Sequence, residues 1–423
     1  MKEFSRGVMS QISEEEVKTE VANWVDKNWD PELTVAEWWQ LLADARLAHT
    51  MLPENAGGRG WGRDLNHVVL RTIADKNVLG PPTGLGMMLA APTIAAHGTE
   101  EQIARFIPPI LNGQQAWCQL FSEPGAGSDL AGLQCKAEKD GDEWVINGQK
   151  VWTSGGQIAD MGMLIARTDP DLPKHQGISY FAFDMKQEGV DVRPLTEMTG
   201  RALFNEVFVT DGLVPDDAII GGRSNGWRVA NATLMFERSH LGSGSVPVAT
   251  AVAGTIAGQL DMKVGDIIQG RVRGQGGLVI GPRLLDRLVS LTQKLGREQD
   301  PVLRQELMKL FSLVEVNRLN MLRVKSGSGR TGAEGNIGKL MMSELYRQFR
   351  EVGLMVIGSD GMLQGVEIGE SAWINEVTVF SPAPAIYGGT DQVQRNIIGE
   401  RVLGLPKEPG HPKETPFIDL PKN

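Results

Sequence analysis

The spacing of apolar residues changes twice along the chain. Up to about residue 113, apolar residues recur every three or four positions, which is typical of amphipathic helices. From about residue 114 the pattern becomes short alternating runs separated by Gly, Pro and Asp, which predicts strands. Helical spacing returns after about residue 223. We therefore predict an N-terminal all-α domain (1–113), a middle β domain (114–222), a C-terminal α-helical domain (223–405) and a loosely ordered tail (406–423).

Three helix starts in the first segment carry the same local signal. A hydroxyl residue is followed three positions later by Glu or Gln in Ser13–Glu16, Thr34–Glu37 and Thr99–Gln102. In this capping-box arrangement the two side chains bond free backbone amides of the first helical turn. Each pair therefore predicts that a helix begins there.

The middle and last segments supply the remaining elements. Strand candidates are Met161–Arg167, Gly177–Asp184 and Glu206–Thr210. Short strands at this close spacing predict a small antiparallel β-barrel or sandwich. Long helices are expected from residue 228 to about 260, from 302 to about 325 and from 333 to about 357, with a closing helix capped by Thr390. The predicted fold class is α+β, in which a helical domain and a helical bundle flank a β-barrel.

Composition and charge narrow the class of protein. The chain has 423 residues, of which 41% are hydrophobic and 22% are charged, as in soluble globular proteins. Its net charge of −10 argues against nucleic acid or an anionic membrane as the main partner. Two cysteines, Cys118 and Cys135, are too few for a disulfide framework or a metal cluster. We therefore expect no metal and a reducing compartment.

Targeting signals are not apparent in the sequence. The N-terminus lacks the apolar stretch of a secretory signal and is too acidic for a transit peptide. The longest apolar run, residues 84–96, contains Pro92 and is too short to span a bilayer. We therefore expect a cytoplasmic protein that does not insert into a membrane.

The glycines at Gly125 and Gly127 invite comparison with a dinucleotide-binding fingerprint. That fingerprint needs a strand before the glycines and a helix that opens on the last of them. Here Pro124 precedes the glycines, and the turn signals Asp140-Gly141 and Asn147-Gly148 follow them. The context is therefore a loop that leads into antiparallel strands, and the dinucleotide interpretation fails.

Two longer motifs carry a resemblance to a known family. They are Phe121-Ser-Glu-Pro-Gly-Ala-Gly-Ser-Asp129 and Asn147-Gly-Gln-Lys-Val-Trp-Thr-Ser154. Together they resemble the flavin-binding centre of the acyl-CoA dehydrogenases, and the order of helical and β segments over residues 14–405 is similar too. The resemblance implies an FAD between the β domain and the C-terminal helices. The positions that match flavin contacts are Gln119, Phe121, Ser122, Trp152, Thr153 and Ser154.

The same resemblance assigns roles to three side chains in these motifs. Trp152 would cover the flavin ring, and Ser154 would hydrogen-bond the reactive edge of the flavin. Ordinary core packing is the alternative for Trp152. Ser128 matches a position that contacts CoA, and a loop hydroxyl that bonds its own backbone is its alternative.

The C-terminal segment holds further matching positions. Arg297 matches an arginine that reaches the flavin pyrophosphate of a neighbouring subunit, but Asp300-Pro301 stands where the family has an aromatic-glycine pair. A solvated surface arginine is the alternative. Gly358, Thr390 and Gln392 match contacts on the adenosine or pyrophosphate side. A helix that begins at Thr390 would offer free amides to an anion.

The catalytic base is where this sequence departs from the commonest family pattern. Many members carry glutamate in a Tyr-Glu-Gly-Thr run, whereas here the run is Tyr387-Gly388-Gly389-Thr390. Relatives that resemble isovaleryl- and long-chain acyl-CoA dehydrogenases place the base on an earlier helix, directly before an arginine, and Glu237-Arg238 stands there. The resemblance thus implies that Glu237 abstracts the α-proton and that Arg238, Tyr387 and Gly388 lie at the substrate. An ion pair on the helix surface is the alternative for Glu237.

The leading hypothesis for function is FAD-dependent α,β-dehydrogenation of an acyl-CoA thioester. The resemblance also implies an electron-transferring flavoprotein as partner and a homo- or heterotetramer. Two alternatives stay open: a flavin oxidase or monooxygenase of the same fold, and a non-catalytic subunit of a mixed complex, which Gly388 motivates. Small residues after the base suggest room for a bulky acyl group; they are Gly242, Ser243, Gly244 and Ser245.

Overall fold

The computed structural model describes residues 12–241, 251–270, 280–326, 332–363 and 369–421. In these residues five α-helices precede a seven-stranded sheet, and seven α-helices follow it. The predicted α+β architecture, with helical segments on both sides of a β segment, is confirmed. The glycines Gly242 and Gly244 and the serines between and after them lie outside the described residues.

The first group of helices begins where the capping signals predict. The elements are α1 (Glu14–Asn28), α2 (Val35–Asp44), α3 (Arg63–Asp75), a π-helical turn (Gly86–Ala90), α4 (Ala91–His97) and α5 (Glu100–Leu111). Before α1, α2 and α5 a hydroxyl accepts the amide N–H three residues on, and the side chain of that residue accepts the N–H of the cap. All three predicted capping boxes are therefore confirmed.

The β segment forms one largely antiparallel sheet. Its strands are β1 (Trp117–Leu120), β2 (Lys136–Asp140), β3 (Glu143–Ser154), β4 (Met161–Arg167), β5 (Ile178–Asp184), β6 (Val190–Leu195) and β7 (Phe204–Pro215). The order is β1-β4-β2-β3-β7-β6, with β5 paired to β4. The short strand β1 runs parallel to β4. Two predicted strands coincide with β4 and β5, and the third is the centre of β7.

The second group of helices completes the fold. Its elements are α6 (Gly226–Leu241), α7 (Val264–Gln269), α8 (Pro282–Lys294), α9 (Pro301–Ser326), α10 (Glu334–Ile357), α11 (Ala372–Phe380) and α12 (Asp391–Arg401). The two long helices predicted after residue 300 are α9 and α10. As predicted, the Thr390 hydroxyl caps α12 by accepting the amide N–H of Val393. Among the helices that the structure describes, none combines the length and apolar character that a transmembrane span requires.

The predicted helix from residue 228 to about 260 is wrong for residues 251–260. The helix α6 ends at Leu241, and residues 251–260 are not helical. Gly254 and Gly258 adopt φ angles of 107° and 69°, which only glycine adopts readily and which a helix does not contain. The chain instead runs back to α2, where the carbonyl oxygens of Leu260 and Met262 accept backbone N–H groups.

The end of the chain also differs from the prediction, because part of the tail is packed. The Phe417 side chain is buried, and the backbone N–H groups of Phe417 and Ile418 donate to the carbonyls of Leu172 and Pro170 at 2.9 and 3.0 Å. The prediction of a loosely ordered tail is therefore wrong for this part. An aromatic residue among polar and proline residues gave little periodic signal from which its docking could be predicted.

Two clusters of buried apolar side chains hold these elements. The larger cluster joins α1 to α5, the sheet and the first turns of α6. The smaller cluster joins α8, α9, α10 and α11. The helix α6 is thus part of the larger core, and this fixes its position against the strands that carry the sequence motifs.

Candidate active site

The structure brings the two long sequence motifs together. The backbone N–H of Val151, in the second motif, donates to the carbonyl of Ser122, in the first, at 2.9 Å. The Lys150 ammonium donates to the Phe121 carbonyl at 3.1 Å. Gln119, Phe121 and Ser122 of the predicted flavin set therefore lie beside the strand that carries Trp152 and its neighbours.

A buried ion pair between Lys150 and Glu123 links the two motifs. Lys150 Nζ lies 2.8 Å from Glu123 Oε1, and neither side chain is more than slightly accessible. The Glu123 carboxylate also accepts the backbone N–H groups of Gln134 and Cys135 at 2.6 and 3.0 Å. Buried charges are rare unless paired, so this pair is part of the architecture of the site. Each of the two residues stands inside one of the motifs, but no local pattern in the sequence indicates that they pair.

Trp152 has an unusual backbone and an exposed side chain. Its φ angle is 60°, a left-handed conformation that bulky residues rarely adopt. The pairing of β3 with β7 shifts register between Lys150 and Thr153, so Trp152 sits in an irregular stretch of strand. Trp152 is 60% exposed, and its indole contacts Phe204 edge-on at 5.9 Å. A large aromatic held outward by a strained backbone is typical of a ligand-binding position.

Two further positions of the predicted flavin set hold unsatisfied polar atoms. Within the described residues, Gln119 Nε2 and Thr153 Oγ1 are buried and have no hydrogen-bond partner. Asn205 Oδ1, on the neighbouring strand β7, is also buried and also has no hydrogen-bond partner among the described residues. An unpaired buried polar group costs roughly 1–3 kcal/mol, so such atoms mark a place where a polar ligand is expected. Gln119 and Thr153 belong to the two segments that carry the motifs, so their unpaired polar atoms fit a polar cofactor such as a flavin.

A cavity of about 300 Å³ opens beside Ser154. Four segments supply most of its lining: residues 83–87, 115–117, 154–155 and 251–253. The lining is mainly apolar and rich in glycine and alanine. Its volume is that of about ten water molecules, which is enough for an acyl group of moderate bulk. No Asp or Glu is found among the described residues that line it.

Hydrogen bonds to Asp160 hold one wall of the cavity in place. The buried carboxylate of Asp160 accepts the backbone N–H groups of Ala116 and Thr255 at 2.8 and 3.2 Å, and so links the start of the sheet to residues 251–255. A Cβ added at Gly254 would lie 2.7 Å from both Ala116 Cβ and Asp160 Oδ2. The residues Ala251, Val252 and Ala253 are therefore held next to Ala116, which also lines the cavity.

The helix α6 carries the predicted base towards this region. It packs against the turn Gly86–Ala90, which contributes to the cavity wall. The buried Thr233 hydroxyl lies 3.0 Å from the Thr93 hydroxyl and 3.4 Å from the Tyr180 hydroxyl. Glu237 follows Thr233 by four residues and therefore shares its face of the helix. Glu237 is partly buried, although it is not itself among the residues that line the cavity.

The burial of Tyr180 shows how closely α6 packs on the sheet. Burial raises the pKa of this phenol, and its hydroxyl accepts a hydrogen bond from the Thr233 hydroxyl. The ring contacts Phe121 edge-on at 6.0 Å. Tyr180 thus connects a residue of the first motif to the helix that carries Glu237.

The Tyr387–Thr390 run forms a tight turn without a carboxylate. Gly388 and Gly389 adopt φ angles of 63° and 82°. The Gln394 side chain donates to the Gly388 carbonyl at 2.8 Å. Burial raises the pKa of the Tyr387 phenol, which packs near Phe380.

The acid that follows this turn has other partners. Asp391 is buried, and its carboxylate is bonded by Lys339 and Arg347. Gln392, a predicted cofactor contact, is exposed beside it. Because two cations hold Asp391, it is a poor substitute for the glutamate that the commonest family pattern has in this run.

Other predicted residues lie apart from the two motifs. The Arg297 guanidinium donates to the carbonyls of Met355 and Val356 at 2.6 and 3.1 Å, at the end of α10. A Cβ added at Gly358 would lie 3.5 Å from this guanidinium, so the structure does bring Arg297 and Gly358 together. They adjoin the smaller core, whereas Phe121 belongs to the larger one.

Ser128 and Arg238 are the two positions predicted to contact CoA, and the structure describes the side chain of Ser128 only. Ser128 is exposed in the loop after β1, next to Asp129, whose carboxylate accepts two contacts from Lys174. Arg238 lies in α6, but its side chain is outside the part of the chain that the structure describes. Both remain predictions.

Family models match three successive parts of the chain. The models of the acyl-CoA dehydrogenase N-terminal, middle and C-terminal domains match residues 3–114, 118–211 and 278–403. The chain is 36% identical over 372 residues to acyl-CoA dehydrogenase IpdE1 of Mycobacterium tuberculosis, and the match covers 88% of each chain. It is 33% identical over 206 residues to the mitochondrial long-chain specific acyl-CoA dehydrogenase of Sus scrofa, covering 48% of each.

Solved structures show the same fold. The structure of the Tcur3481-Tcur3483 steroid ACAD superposes with a TM-score of 0.68 at 23% identity, over 93% of this chain and 98% of the other. The ChsE4-ChsE5 complex from Mycobacterium tuberculosis gives a TM-score of 0.63 at 24% identity, over 96% and 100%. The chain therefore belongs to the acyl-CoA dehydrogenase family, whose members are flavin-dependent oxidoreductases.

Proposed function

We propose that this chain uses FAD to introduce a double bond next to the thioester of a bulky acyl-CoA, with Glu237 as the base. The observation that carries the proposal is the packing of α6 on the turn Gly86–Ala90. Gly86 and Met87 of that turn line an apolar cavity that Ser154 also lines, and Glu237 lies one helical turn after the buried Thr233 on α6. This arrangement supports the proposal that the base and the flavin motif act on the same bound substrate.

The residues present fit a flavin. Gln119 and Thr153 offer buried polar atoms that lack partners in the described chain, and Trp152 offers an exposed ring face. The flavin supplies the hydride acceptor, which no protein side chain can provide. Phe121 and Ser122 would contact it from the first motif, and the Ser154 hydroxyl would bond its reactive edge at the mouth of the cavity. FAD, rather than a shorter flavin, is proposed from the matches at Arg297, Gly358, Thr390 and Gln392.

The chain's own contribution to the chemistry is proton abstraction and exclusion of water. The Glu237 carboxylate would take the α-proton of the thioester, and the apolar lining would keep water from the reacting carbons. Gly388 and Tyr387 would border the substrate without taking a proton, because glycine has no side chain and burial raises the pKa of the Tyr387 phenol. Asp391 is held by two cations and takes no part.

The cavity supports a bulky, ring-containing acyl group. Glycine and alanine residues in the lining leave a space of about 300 Å³, and Asp160 holds residues 116 and 255 together beside it. One of the solved proteins with this fold is named a steroid ACAD. We propose a substrate of that general shape, in which the ring system would fill the cavity and the thioester would lie near Ser154.

An exposed apolar stripe on α9 supports association with another chain, and we propose a tetramer from the family resemblance. Met308, Phe311, Leu319 and Leu322 lie on one side of this helix, and each is about half exposed. We call this stripe the α9 face. Contiguous apolar surface of this kind usually marks a protein–protein interface. We propose that a second copy or a homologous chain covers it, and that an electron-transferring flavoprotein accepts the electrons.

An anaerobic titration tests this function. The flavin-loaded protein is mixed with CoA thioesters of butyrate, a long linear chain and a bicyclic carboxylic acid, and the flavin absorbance is followed. We expect the bicyclic thioester to bleach the flavin fastest. No bleaching by any thioester would contradict dehydrogenation and favour a non-catalytic subunit. Fast oxygen consumption without another acceptor would instead identify an oxidase.

A further inference from the structure

Arg167, at the end of β4, connects two loops on the side of the sheet where Ser128 lies. Its guanidinium donates to the carbonyl of Ala131 at 2.6 Å and, at 3.4 Å, to that of Leu133. The other terminal nitrogen donates to the carbonyl of Lys174 at 2.6 Å. The loop that follows Ser128 and the loop after β4 are therefore held by one side chain.

The same two loops meet a second time through their side chains. Lys174 donates to both carboxylate oxygens of Asp129, at 2.8 and 3.0 Å. Asp129 is the residue directly after Ser128, so this contact fixes the backbone next to the predicted CoA position. The position of Ser128 thus depends on both Lys174 and Arg167.

Phe417 covers Arg167 from outside. The guanidinium carbon lies 3.6 Å from the centre of the phenyl ring, and Phe417 is only 8% exposed. A cation stacked on an aromatic face is attracted by the ring, and the attraction is stronger where water is excluded. Burial lowers the pKa of Arg167 to about 10, which still leaves it charged at neutral pH.

The backbone around Phe417 is tied to the same loop. Its N–H donates to the Leu172 carbonyl at 2.9 Å, and that of Ile418 donates to the Pro170 carbonyl at 3.0 Å. Pro416 and Pro173 form a β-bridge beside these two bonds. The end of the chain is therefore docked on residues 170–174 by backbone bonds as well as by the ring.

We propose that Phe417 is a positioning residue for coenzyme A, which acts by keeping water away from Arg167 and so fixing the loop that carries Ser128. This inference rests on the proposed function for the role of Ser128. Hydrogen bonds of a guanidinium are stronger when the group is shielded from water, so removing the ring weakens its hold on Ala131 and Lys174. Coenzyme A then meets a looser loop, whereas the acyl cavity is unchanged.

The test compares Phe417→Ala with Phe417→Tyr in the flavin-loaded full-length protein. Calorimetry measures the Kd of free coenzyme A, and steady-state kinetics measure KM for an acyl-CoA and for the N-acetylcysteamine thioester of the same acid, which lacks the nucleotide. We expect Phe417→Ala to raise the Kd of coenzyme A and the KM for acyl-CoA about tenfold. The KM for the short thioester should not change, and Phe417→Tyr should behave as the unmodified protein.

Other results would contradict the role of Phe417, the proposed function, or both. A Kd of coenzyme A within twofold of the unmodified protein, or an equal rise in KM for both thioesters, would overturn the inference. Wild-type protein that binds coenzyme A but dehydrogenates no thioester would contradict the proposed function and leave the Kd comparison valid. Wild-type protein that does not bind coenzyme A would contradict both. A melting temperature measured for each variant separates loss of positioning from loss of folding.

Discussion

Lys150 Nζ lies 2.8 Å from Glu123 Oε1, and this buried pair joins the two sequence motifs of the proposed flavin site. Lys150 also bonds the carbonyl of Phe121, and Glu123 bonds two backbone N–H groups after it. The two side chains thereby neutralise each other's charge and also pair with backbone N–H and carbonyl groups of the loop. The relative position of Ser122 and Trp152 depends on it.

Removing one partner is expected to be far more harmful than removing both. Lys150→Met leaves the Glu123 carboxylate buried without its cation and should lower the free energy of unfolding by about 3–5 kcal/mol. The double variant Lys150→Met, Glu123→Gln removes both charges and should recover at least half of that loss. Urea unfolding of the flavin-free protein measures both. The exposed pair Lys294–Glu370 is the control, and Lys294→Met should cost less than about 1 kcal/mol. Equal costs at the two sites would contradict the prediction.

Thr153 should show opposite effects on folding and on flavin binding. Its buried Oγ1 has no partner among the described residues, so Thr153→Val should leave the flavin-free protein as stable as before or stabilise it by up to about 1 kcal/mol. The same variant should weaken FAD binding about tenfold, because one hydrogen bond to the cofactor is lost.

Thermal unfolding and flavin titration measure these two effects. Thr72→Val is the matched control, since the Thr72 hydroxyl already bonds the Val68 carbonyl at 2.7 Å. That control should lower stability and leave the Kd of FAD unchanged. Loss of stability in flavin-free Thr153→Val would show that the hydroxyl serves the fold instead.

Filling the cavity should change which acyl group is preferred. Ala253 is buried in the cavity wall, and the bond from Thr255 to Asp160 restrains this segment. The larger side chain of Ala253→Leu should therefore occupy part of the cavity. We expect the ratio of kcat/KM for a bicyclic acyl-CoA to that for butyryl-CoA to fall at least tenfold, or about 1.4 kcal/mol. Val289→Leu, at an exposed position of α8, should not change this ratio. An unchanged ratio in Ala253→Leu would place the acyl group elsewhere.

A charge on the α9 face should weaken assembly. Phe311→Glu and Leu319→Glu each place an anion where an apolar side chain is expected to be buried, and we expect at least a tenfold rise in the dissociation constant. Sedimentation velocity measures the distribution of species. Val302→Glu lies on the same helix but outside the α9 face and should leave assembly intact. An unchanged tetramer in both face variants would place the interface on another surface.

Local signals in the sequence were sufficient for much of the fold. The caps at Ser13, Thr34 and Thr99 depend on side chains three residues apart, so the sequence contains all the information that they need. The strands β4 and β5 have clear ends marked by turn residues, and their bounds were predicted closely. The motif around Ser122 was sufficient to indicate the family.

Features that depend on distant contacts were not predictable. The left-handed backbone of Trp152 results from the register shift between β3 and β7, which lie far apart in sequence. The wall at Ala253 forms because Asp160 binds a segment whose apolar spacing resembled a helix. Phe417 docks on Arg167, which lies far away in the sequence. In each case the tertiary partner decides the local structure, and one sequence does not name that partner.

The most direct test of the account is anaerobic reduction of the flavin by the preferred acyl-CoA in Glu237→Gln. We expect this variant to bind FAD and the acyl-CoA as tightly as the unmodified protein, because the amide keeps the shape of the side chain. Its rate of flavin bleaching should fall by roughly 10² to 10⁴-fold, the usual contribution of a general base. Bleaching at the wild-type rate would contradict the assignment of Glu237 as the base.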